Sequence, residues 1–340
     1  MRNTPASREP RHRTPSLLAR MASVGLLLVA ASPVPARMPT DRGSVVALTF
    51  DDLPLFGRYA SADEALRVTT RLFSGLRRHH LPATGFVNEI QLEGPDRTAR
   101  AALLARWLDA GMDLGNHTYS HLSLDRVSVD AYIADTARDE TVTRPLLAAR
   151  GRGERWFRYP YLETGPTVAA RDRFREWLSN HGYRIAPVTM ENADWRFAPV
   201  YDEAVARGDP ARAREVRAAY LAFTDHIVGW YQEAGTVLFG REPAFVFLLH
   251  ASRLNAAAID DLARILSRHR LRGVTLDQAT SDPAYATADD YAGPDGEGWL
   301  SRWSLTLHRN LPWPSLPQVP PDIVAADQRI DAGASALPAS

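Results

Sequence analysis

Residues 44–52 read SVVALTFDD, an apolar segment that ends in two adjacent aspartates, Asp51 and Asp52. A short apolar run rich in β-branched residues predicts a buried strand. Two carboxylates at the end of such a strand repel each other and lose hydration, and a bound cation would offset that cost. An aspartate pair that only caps the following turn is the other interpretation. The segment therefore predicts a central strand with a candidate functional site at its end.

Six further segments read as short strands, and amphipathic helical segments separate them. Ser61 and Glu64 have the spacing of a capping box, Pro95 begins a second helix, and Asn255 is a candidate cap for the last one. Alternation of strand and helix predicts an α/β fold with a parallel sheet covered by helices. A doubly wound sheet fits this alternation, but about seven strands with polar residues at their ends favour a (β/α) barrel. The six additional strand candidates are residues 83–87, 112–116, 155–159, 183–188, 244–250 and 272–276.

The composition excludes several kinds of chemistry. The chain has no cysteine, and all 40 of its basic residues are arginine. Thiol nucleophiles, disulfides, cysteine-ligated zinc and Schiff-base lysines are therefore impossible. The absence of lysine is most simply explained by genomic base composition. The balance of 40 basic and 40 acidic residues argues against nucleic acid as the main partner, because phosphate binding usually needs a basic face.

Residues 1–36 have the layout of a secretory signal peptide. Five arginines precede the apolar run MASVGLLLVAA at 21–31, and small residues at 34–36 offer a cleavage position. The apolar run is too short to span a bilayer, although a retained anchor and a buried N-terminal helix are alternatives. Removal of this segment takes away five arginines and one glutamate, which leaves 35 basic and 39 acidic residues. The sequence thus predicts an exported bacterial protein, periplasmic or extracellular, with no stable membrane span after cleavage.

Two histidines follow the third strand candidate. His117 and His121 are four residues apart, so they can lie on one side of a helical turn and bind one metal ion. Together with Asp52 they would make a three-ligand site that leaves positions open for water and substrate. This donor set is typical of catalytic zinc.

Polar residues also end three later strand candidates. Arg158 can pair with a carboxylate of the site or form a surface salt bridge. His250 ends the apolar segment FVFLLH, where it is well placed for proton transfer. A carboxylate such as Asp194, which follows Glu191 in the segment ENADW, could orient His250 or raise its pKa.

In this order, the motifs resemble those of the polysaccharide deacetylase family, also called the NodB-homology domain or carbohydrate esterase family 4. The likeness covers roughly residues 44–280. It implies a distorted (β/α) barrel with about seven strands and an active site at their carboxyl ends. The five matching motifs are TFDD at 49–52, HTYSH at 117–121, RYPY at 158–161, DW at 194–195 and LLH at 248–250.

The resemblance implies a divalent metal, most often zinc, with cobalt or manganese as alternatives. Its ligands would be Asp52, His117 and His121. Asp51 matches the general base that takes a proton from the attacking water. Arg158 would pair with Asp51 and hold it ionised.

The same resemblance assigns the acid side of the reaction. His250 matches the general acid that protonates the departing amine, and Asp194 would favour its protonated form. The backbone N–H of Tyr161 would hold the developing oxyanion. Trp195 and Leu248 match apolar walls of the acetate pocket.

Two departures from the family pattern stand out. Leu53-Pro54 replaces the Gly-Pro that often follows TFDD, which would place an apolar side chain beside a metal ligand and alter the substrate groove. Glu191 stands where the fourth motif usually begins with aspartate, which matters little if Asp194 has the functional role.

The sequence predicts a single catalytic domain over residues 37–308, with a helical insertion at 202–240. A tail rich in proline and alanine at 309–340 is expected to run over the surface or to be disordered. The implied function is removal of acetyl groups from a glycan that contains N-acetylglucosamine, peptidoglycan or chitin-like, by a metal-activated water. An O-acetyl xylan esterase and a hydrolase of small-molecule amides are alternatives on the same site. A glycan-binding protein without catalysis is a third.

Overall fold

The apolar segment that ends in Asp51 and Asp52 forms the central strand of a parallel sheet. A computed structural model of the chain describes residues 43–57 and 61–335. The strands, in chain order, are β1 (Val45–Leu53), β2 (Ala83–Val87), β3 (Asp113–Asn116), β4 (Trp156–Phe157), β5 (Arg184–Ile185), β6 (Met190–Glu191), β7 (Phe245–His250) and β8 (Arg272–Gly273). The predicted signal peptide at 1–36 lies outside the described residues, as do residues 58–60 and 336–340.

The sheet is a distorted, incompletely closed (β/α) barrel, as expected. Its strand order is β5-β4-β3-β2-β1-β7-β6, and β8 pairs with the beginning of β1. Neighbouring strands are parallel throughout this order. Parallel pairing gathers the carboxyl ends of the strands at one edge, where the polar motifs follow. In the register between β1 and β7, Asp51 lies opposite His250.

Helices connect the strands and cover the sheet. Their apolar sides join β1 in one large core, which includes the buried Phe50, Trp107 and Leu262. Among the described residues, no helix is long and apolar enough to cross a membrane. The helices are α1 (Ala62–Arg78), α2 (Arg97–Asp109), α3 (Val129–Arg138), α4 (Thr143–Ala148), α5 (Val168–Asn180), α6 (Asp194–Ala206), α7 (Pro210–Phe239), α8 (Arg253–Arg268), α9 (Leu276–Thr280), α10 (Trp299–Thr306) and α11 (Pro321–Ser335).

The N-terminus of α8 corrects one expectation. The helix begins after Ser252, whose hydroxyl accepts a hydrogen bond from the backbone N–H of Asn255. Asn255 therefore lies within the first turn instead of capping the helix, and its side chain is fully buried. Serine and asparagine have similar preferences for the cap position, so the sequence does not distinguish them.

The C-terminal region is also more ordered than expected. We expected a surface or disordered tail after residue 308, but Pro321 begins helix α11, which packs against α6. Leu311 and Ile323 are buried, and Asp327 accepts a hydrogen bond from Arg196 of α6. Proline suits the first turn of a helix, where its missing N–H would have no partner, so its presence here does not indicate disorder.

The residues of the predicted insertion, 202–240, form the last turn of α6 and the whole of α7. Helix α6 begins earlier than expected, at Asp194, so the fourth sequence motif lies in its first turn. Helix α7 is 30 residues long and packs against both α6 and α8. Most of the predicted insertion is therefore α7, which packs against the helix that carries Asp194 and against the helix that follows His250.

Candidate active site

Asp52, His117 and His121 form a group that can hold one cation. Asp52 Oδ1 lies 3.6 Å from His117 Nε2 and 3.5 Å from His121 Nε2. One ligand atom from each residue lies within 4.8 Å of the others. Asp52 Oδ1 is buried and has no hydrogen-bond partner among the described residues. A buried carboxylate oxygen that faces two imidazole nitrogens fits a divalent metal, because an unpaired oxygen of this kind is otherwise costly.

Hydrogen bonds around His117 leave it ready to act as a ligand. Its Nδ1–H donates to the carbonyl oxygen of Arg158 over 2.8 Å, so the lone pair is on Nε2, toward Asp52. Its backbone N–H donates to the carboxylate of the buried Asp139. Burial, helped by the neighbouring His121, lowers the pKa of His117 well below its usual value. The ring is therefore neutral at neutral pH, as metal binding requires.

Unusual backbone conformations concentrate at this edge of the sheet. Nine non-glycine residues in the described ranges have positive φ, and six of them lie at the end of β1 or in the segments that follow the other strands of the site. Such conformations cost energy and persist where the surrounding structure enforces them, commonly at functional sites. The six residues are Asp52, Thr118, His121, Tyr161, Leu162 and Ala193.

Asp51 is a buried carboxylate with one charged partner. Arg158 is itself fully buried, and it approaches Asp51 Oδ2 at 3.3 Å. Its Nη2 group donates to Thr49 Oγ1, and its Nε group donates to the carbonyl oxygen of Ala186. Burial raises the pKa of Asp51 to about 6, although the charge of Arg158 works against this rise. The resemblance implied that Arg158 holds Asp51 ionised, but Arg158 offsets only part of the effect of burial. At neutral pH Asp51 is mostly ionised and still basic enough to accept a proton.

His250 has the opposite balance. Its Nδ1 lies 2.8 Å from Asp194 Oδ1, and its backbone N–H donates to Asp194 Oδ2 over 2.7 Å. Burial opposes protonation of the ring, but the charge and hydrogen bond of Asp194, together with the charges of Asp52 and Asp51, outweigh it and raise the pKa of His250 to about 9. At neutral pH the imidazole therefore carries a proton that it can donate. Phe56 covers the ring, with centroids 4.5 Å apart.

Sequence reasoning missed the residues that support this pair. Asn255 donates to Asp194 Oδ2 over 2.5 Å, and Tyr220 of α7 donates to Asn255 Oδ1 over 2.6 Å. Neither belongs to a spaced motif. The position of Asn255 five residues after His250, on the helix that follows the motif strand, is the one available signal.

The three residues assigned to the substrate pocket lie in different surroundings. Tyr161 is 58% exposed and its ring packs against His121, with centroids 4.5 Å apart. Leu248 is buried on β7, opposite Thr49 in the sheet. Trp195 is partly exposed on α6, and the guanidinium of Arg196 lies 4.2 Å from its ring centre. The roles of all three in binding acetate remain predictions.

Leu53 does not project into the substrate groove, contrary to the expectation from its replacement of glycine. Its side chain is fully buried and fills the space beside Gly85, where an added Cβ would lie 2.5 Å from Leu53 Cδ2. The departure from the family pattern is therefore accommodated in the core, beneath Asp52.

A cleft of about 950 Å³ opens beside the metal-binding group. Asp52 and His121 lie at one wall, and α6 and α11 supply residues such as Val205 and Ile330. Leu55 adds apolar surface. The C-terminal segment therefore helps to form the cleft that leads to the site.

Residues 39–186, which include the metal-binding group, Asp51 and Arg158, match the family model described as polysaccharide deacetylase. This part of the chain, less than half of its length, is similar to polysaccharide deacetylases. The matched residues include the first three motifs, which supply Asp51, Asp52, both histidines and Arg158. The strand that carries His250 and the helix that carries Asp194 lie beyond the matched residues, and the fold brings them to the same site.

Individual polysaccharide deacetylases show more distant similarity. The peptidoglycan-N-acetylglucosamine deacetylase of Bacillus cereus is 27% identical over 151 residues, which cover 44% of this chain and 46% of that protein. The chain thus matches less than half the length of this curated relative. The peptidoglycan deacetylase PdaC of Bacillus subtilis has a TM-score of 0.45 and 20% identity, with coverage of 70% of this chain and 91% of that one. The chitin deacetylase of Colletotrichum lindemuthianum has a TM-score of 0.48 and 19% identity, covering 70% and 88%.

Proposed function

We propose that the chain is a metal-dependent hydrolase that removes N-acetyl groups from a glycan containing N-acetylglucosamine, such as peptidoglycan or a chitin-like oligomer. One observation carries this proposal: a basic carboxylate and a protonated histidine lie opposite each other at a group that fits a metal ion. We also propose that the protein acts outside the cytoplasm, on the basis of the leader pattern in residues 1–36.

Asp52, His117 and His121 would hold the divalent metal, and zinc is the proposed ion because two imidazoles and one carboxylate are typical of its catalytic sites. When bound, such a metal supplies Lewis acidity, which lowers the pKa of water and polarises a carbonyl group. Cobalt and manganese are alternatives, since the donor set does not exclude them.

Asp51 would begin the reaction as the general base. Its Oδ1 atom is buried and has no partner among the described residues, so it is available to accept a proton from the attacking water. The water oxygen bonds to the acetyl carbon, and negative charge develops on the carbonyl oxygen. Tyr161 lies in the first turn of a 3-10 helix, where backbone N–H groups have no partner within the helix, so its N–H can donate to that oxygen.

His250 would complete the reaction as the general acid. An amine is a poor leaving group until it is protonated, and the imidazolium of His250 supplies that proton. The C–N bond then breaks, which releases acetate and leaves a free amine on the sugar. A histidine that is already protonated favours an acetamide over an acetate ester as substrate. The nitrogen of an acetamide must be protonated before it can leave, whereas the oxygen of an ester can leave as an alkoxide with less assistance.

Acetate release from acetylated chito-oligosaccharides, peptidoglycan and acetylated xylan tests the proposal. The purified protein would be assayed after metal removal by a chelator and after addition of zinc, cobalt or manganese. His121→Ala should abolish both metal binding and acetate release. His181→Ala, which removes an exposed histidine at the end of α5, should leave both unchanged.

Full activity after complete metal removal would overturn metal dependence. Release from acetylated xylan alone would favour the esterase alternative, and release from small amides alone would favour the small-molecule alternative. Glycan binding without turnover under every metal would indicate a binding protein.

A further inference from the structure

Asp194 accepts more hydrogen bonds than its pairing with the ring of His250 requires. Its Oδ1 faces His250 Nδ1, while its Oδ2 accepts from the backbone N–H of His250 and from Asn255 Nδ2. The carboxylate is fully buried, so solvent does not replace any of these donors. Its orientation is therefore fixed from two directions, by His250 and by helix α8.

Asn255 is itself held at each end of its amide. Its Nδ2 group donates to Asp194 Oδ2 and to the carbonyl oxygen of His250, over 2.5 and 2.8 Å. Its Oδ1 accepts from the hydroxyl of Tyr220 over 2.6 Å. A flipped amide would place its oxygen against the Asp194 carboxylate, so the Tyr220 hydroxyl selects the orientation that donates to Asp194.

Tyr220 continues the chain of donors into α7. Its hydroxyl accepts from Asn192 Nδ2 over 2.8 Å, and Asn192 also donates to Thr224 Oγ1 over 3.0 Å. Burial raises the pKa of Tyr220 well above its usual value, so the hydroxyl keeps the proton that it donates. From Asn192 through Tyr220 and Asn255 to Asp194, each group donates in the same direction, which strengthens the later bonds in the chain.

Every residue of this network is fully buried. Removing one buried partner leaves the remaining polar group unpaired, which is more costly than losing an exposed hydrogen bond. The network also joins three elements: the segment before α6, the insertion helix α7 and the first turn of α8. It thus connects the helical insertion to the residue that orients His250.

We propose that Asn255 and Tyr220 are positioning residues for general-acid catalysis, which act by holding Asp194 against His250. This inference rests on the proposed function, because it assigns His250 the delivery of a proton to the leaving amine. Helix α7 then has a catalytic purpose: it supplies the hydroxyl that fixes the amide of Asn255.

Other charged groups near His250 also favour its protonation. Asp51 and Asp52 of β1 favour protonation of the ring, and the charge interaction between Glu191 and His250 acts in the same sense. Substitution of Tyr220 removes no charge. Its effect on catalysis therefore reports the orientation of the Asp194–His250 pair.

The test compares two kinds of substrate. Release of an amine from N-acetylated chito-oligosaccharides needs the proton of His250, whereas 4-nitrophenyl acetate has a leaving group that departs without one. Tyr220→Phe should lower kcat for the amide about tenfold and Asn255→Ala about 100-fold, with less than about a threefold effect on the aryl ester. Tyr132→Phe is the matched control. It removes another fully buried hydroxyl, on α3, which has no hydrogen-bond partner among the described residues.

A second measurement does not depend on activity. In protein labelled with ¹⁵N-histidine, the Nδ1–H of His250 should give a downfield proton resonance because it is bonded to Asp194. We expect Tyr220→Phe to shift or broaden this resonance, and Tyr132→Phe to leave it in place. Equal losses on amide and ester, or unchanged kinetics together with an unchanged resonance, would overturn the positioning role. A wild-type protein that releases no acetate from any glycan would instead refute the proposed function, and the resonance would still decide the positioning role.

Discussion

The two proton-transferring pairs of the site, Asp51–Arg158 and Asp194–His250, are both buried, but burial has opposite outcomes in them. In the first pair burial dominates and raises the pKa of Asp51 to about 6, against the charge of Arg158. In the second pair burial is again the largest single effect and lowers the pKa, but Asp194 together with Asp52 and Asp51 outweighs it and raises the pKa of His250 to about 9. The base is therefore ionised and the acid protonated across the neutral range.

The contacts of the two pairs differ in the same sense. Arg158 makes one 3.3 Å contact with Asp51 and directs its other donors to the neutral oxygens of Thr49 and Ala186. Asp194 instead receives both the ring and the backbone N–H of His250 at 2.8 and 2.7 Å. The opposite charge is therefore closer in the second pair, and the charges of Asp52 and Asp51 add to it, so that together they outweigh burial there. Single substitutions can therefore disrupt the two pairs separately.

Asp51→Asn should have the largest effect. Asparagine cannot accept a proton from water, so kcat should fall at least about 1,000-fold for both acetamide and aryl ester substrates. Initial-rate assays on both substrates measure the fall in kcat. The metal content of the variant shows whether Asp52, His117 and His121 still bind the metal. A variant that keeps more than about a tenth of the wild-type rate would show that Asp51 is not the base.

His250→Ala should be selective by leaving group. We expect kcat for the acetamide to fall by about 100-fold to 1,000-fold, because the amine leaves without assistance only slowly. The aryl ester rate should fall less than about tenfold. Parallel assays on the two substrates measure the loss of kcat on the acetamide relative to that on the aryl ester. Equal losses on both substrates would contradict an acid role.

Asp194→Asn should reverse the balance at His250. Without the negative charge, burial lowers the pKa of His250. The imidazolium therefore loses its proton at a lower pH than in the wild type. The alkaline limb of the rate profile should move to lower pH, and the amide rate at pH 8 should drop about tenfold. An alkaline limb that stays in place would mean that His250 is not the group responsible.

Arg158→Gln should give the smallest effect and act on the other limb. Loss of the positive charge raises the pKa of Asp51 further, so the acidic limb should move to higher pH. At pH 7 we expect a loss of several-fold to tenfold, with recovery toward alkaline pH. A melting-temperature measurement separates this change from loss of fold, since Arg158 is fully buried. A shift of the acidic limb to lower pH would contradict the account.

Much of the fold was readable because its strands are short apolar segments with polar residues directly after them. The seven predicted segments contain seven of the eight described strands, with ends that differ by a few residues. Strand β6 was missed because two residues, Met190 and Glu191, show no periodicity. Helix α11 was missed because the prolines before it suggested an irregular tail.

The site was readable to a different degree on its two sides. The sequence directly indicates the residues that belong to short motifs with local spacing, namely Asp51, Asp52, His117, His121 and Arg158. The network behind His250 joins residues far apart in the chain, such as Tyr220 and Asn255. No local pattern reports a hydrogen bond between two helices, and only the packing of α7 against α8 reveals it.

The most direct test of the account is the pH dependence of kcat/KM for amide hydrolysis by the metal-loaded wild-type protein. The rate should rise with ionisation of Asp51 and fall with deprotonation of His250. A cation held by Asp52 would lower the pKa values of both Asp51 and His250, so the acidic limb should lie at or below about 6 and the alkaline limb at or below about 9. A bell with a broad neutral plateau is the expected result. A rate that continues to increase above pH 10, or one that is already lost between pH 6 and 7, would contradict the opposite tuning of the two pairs.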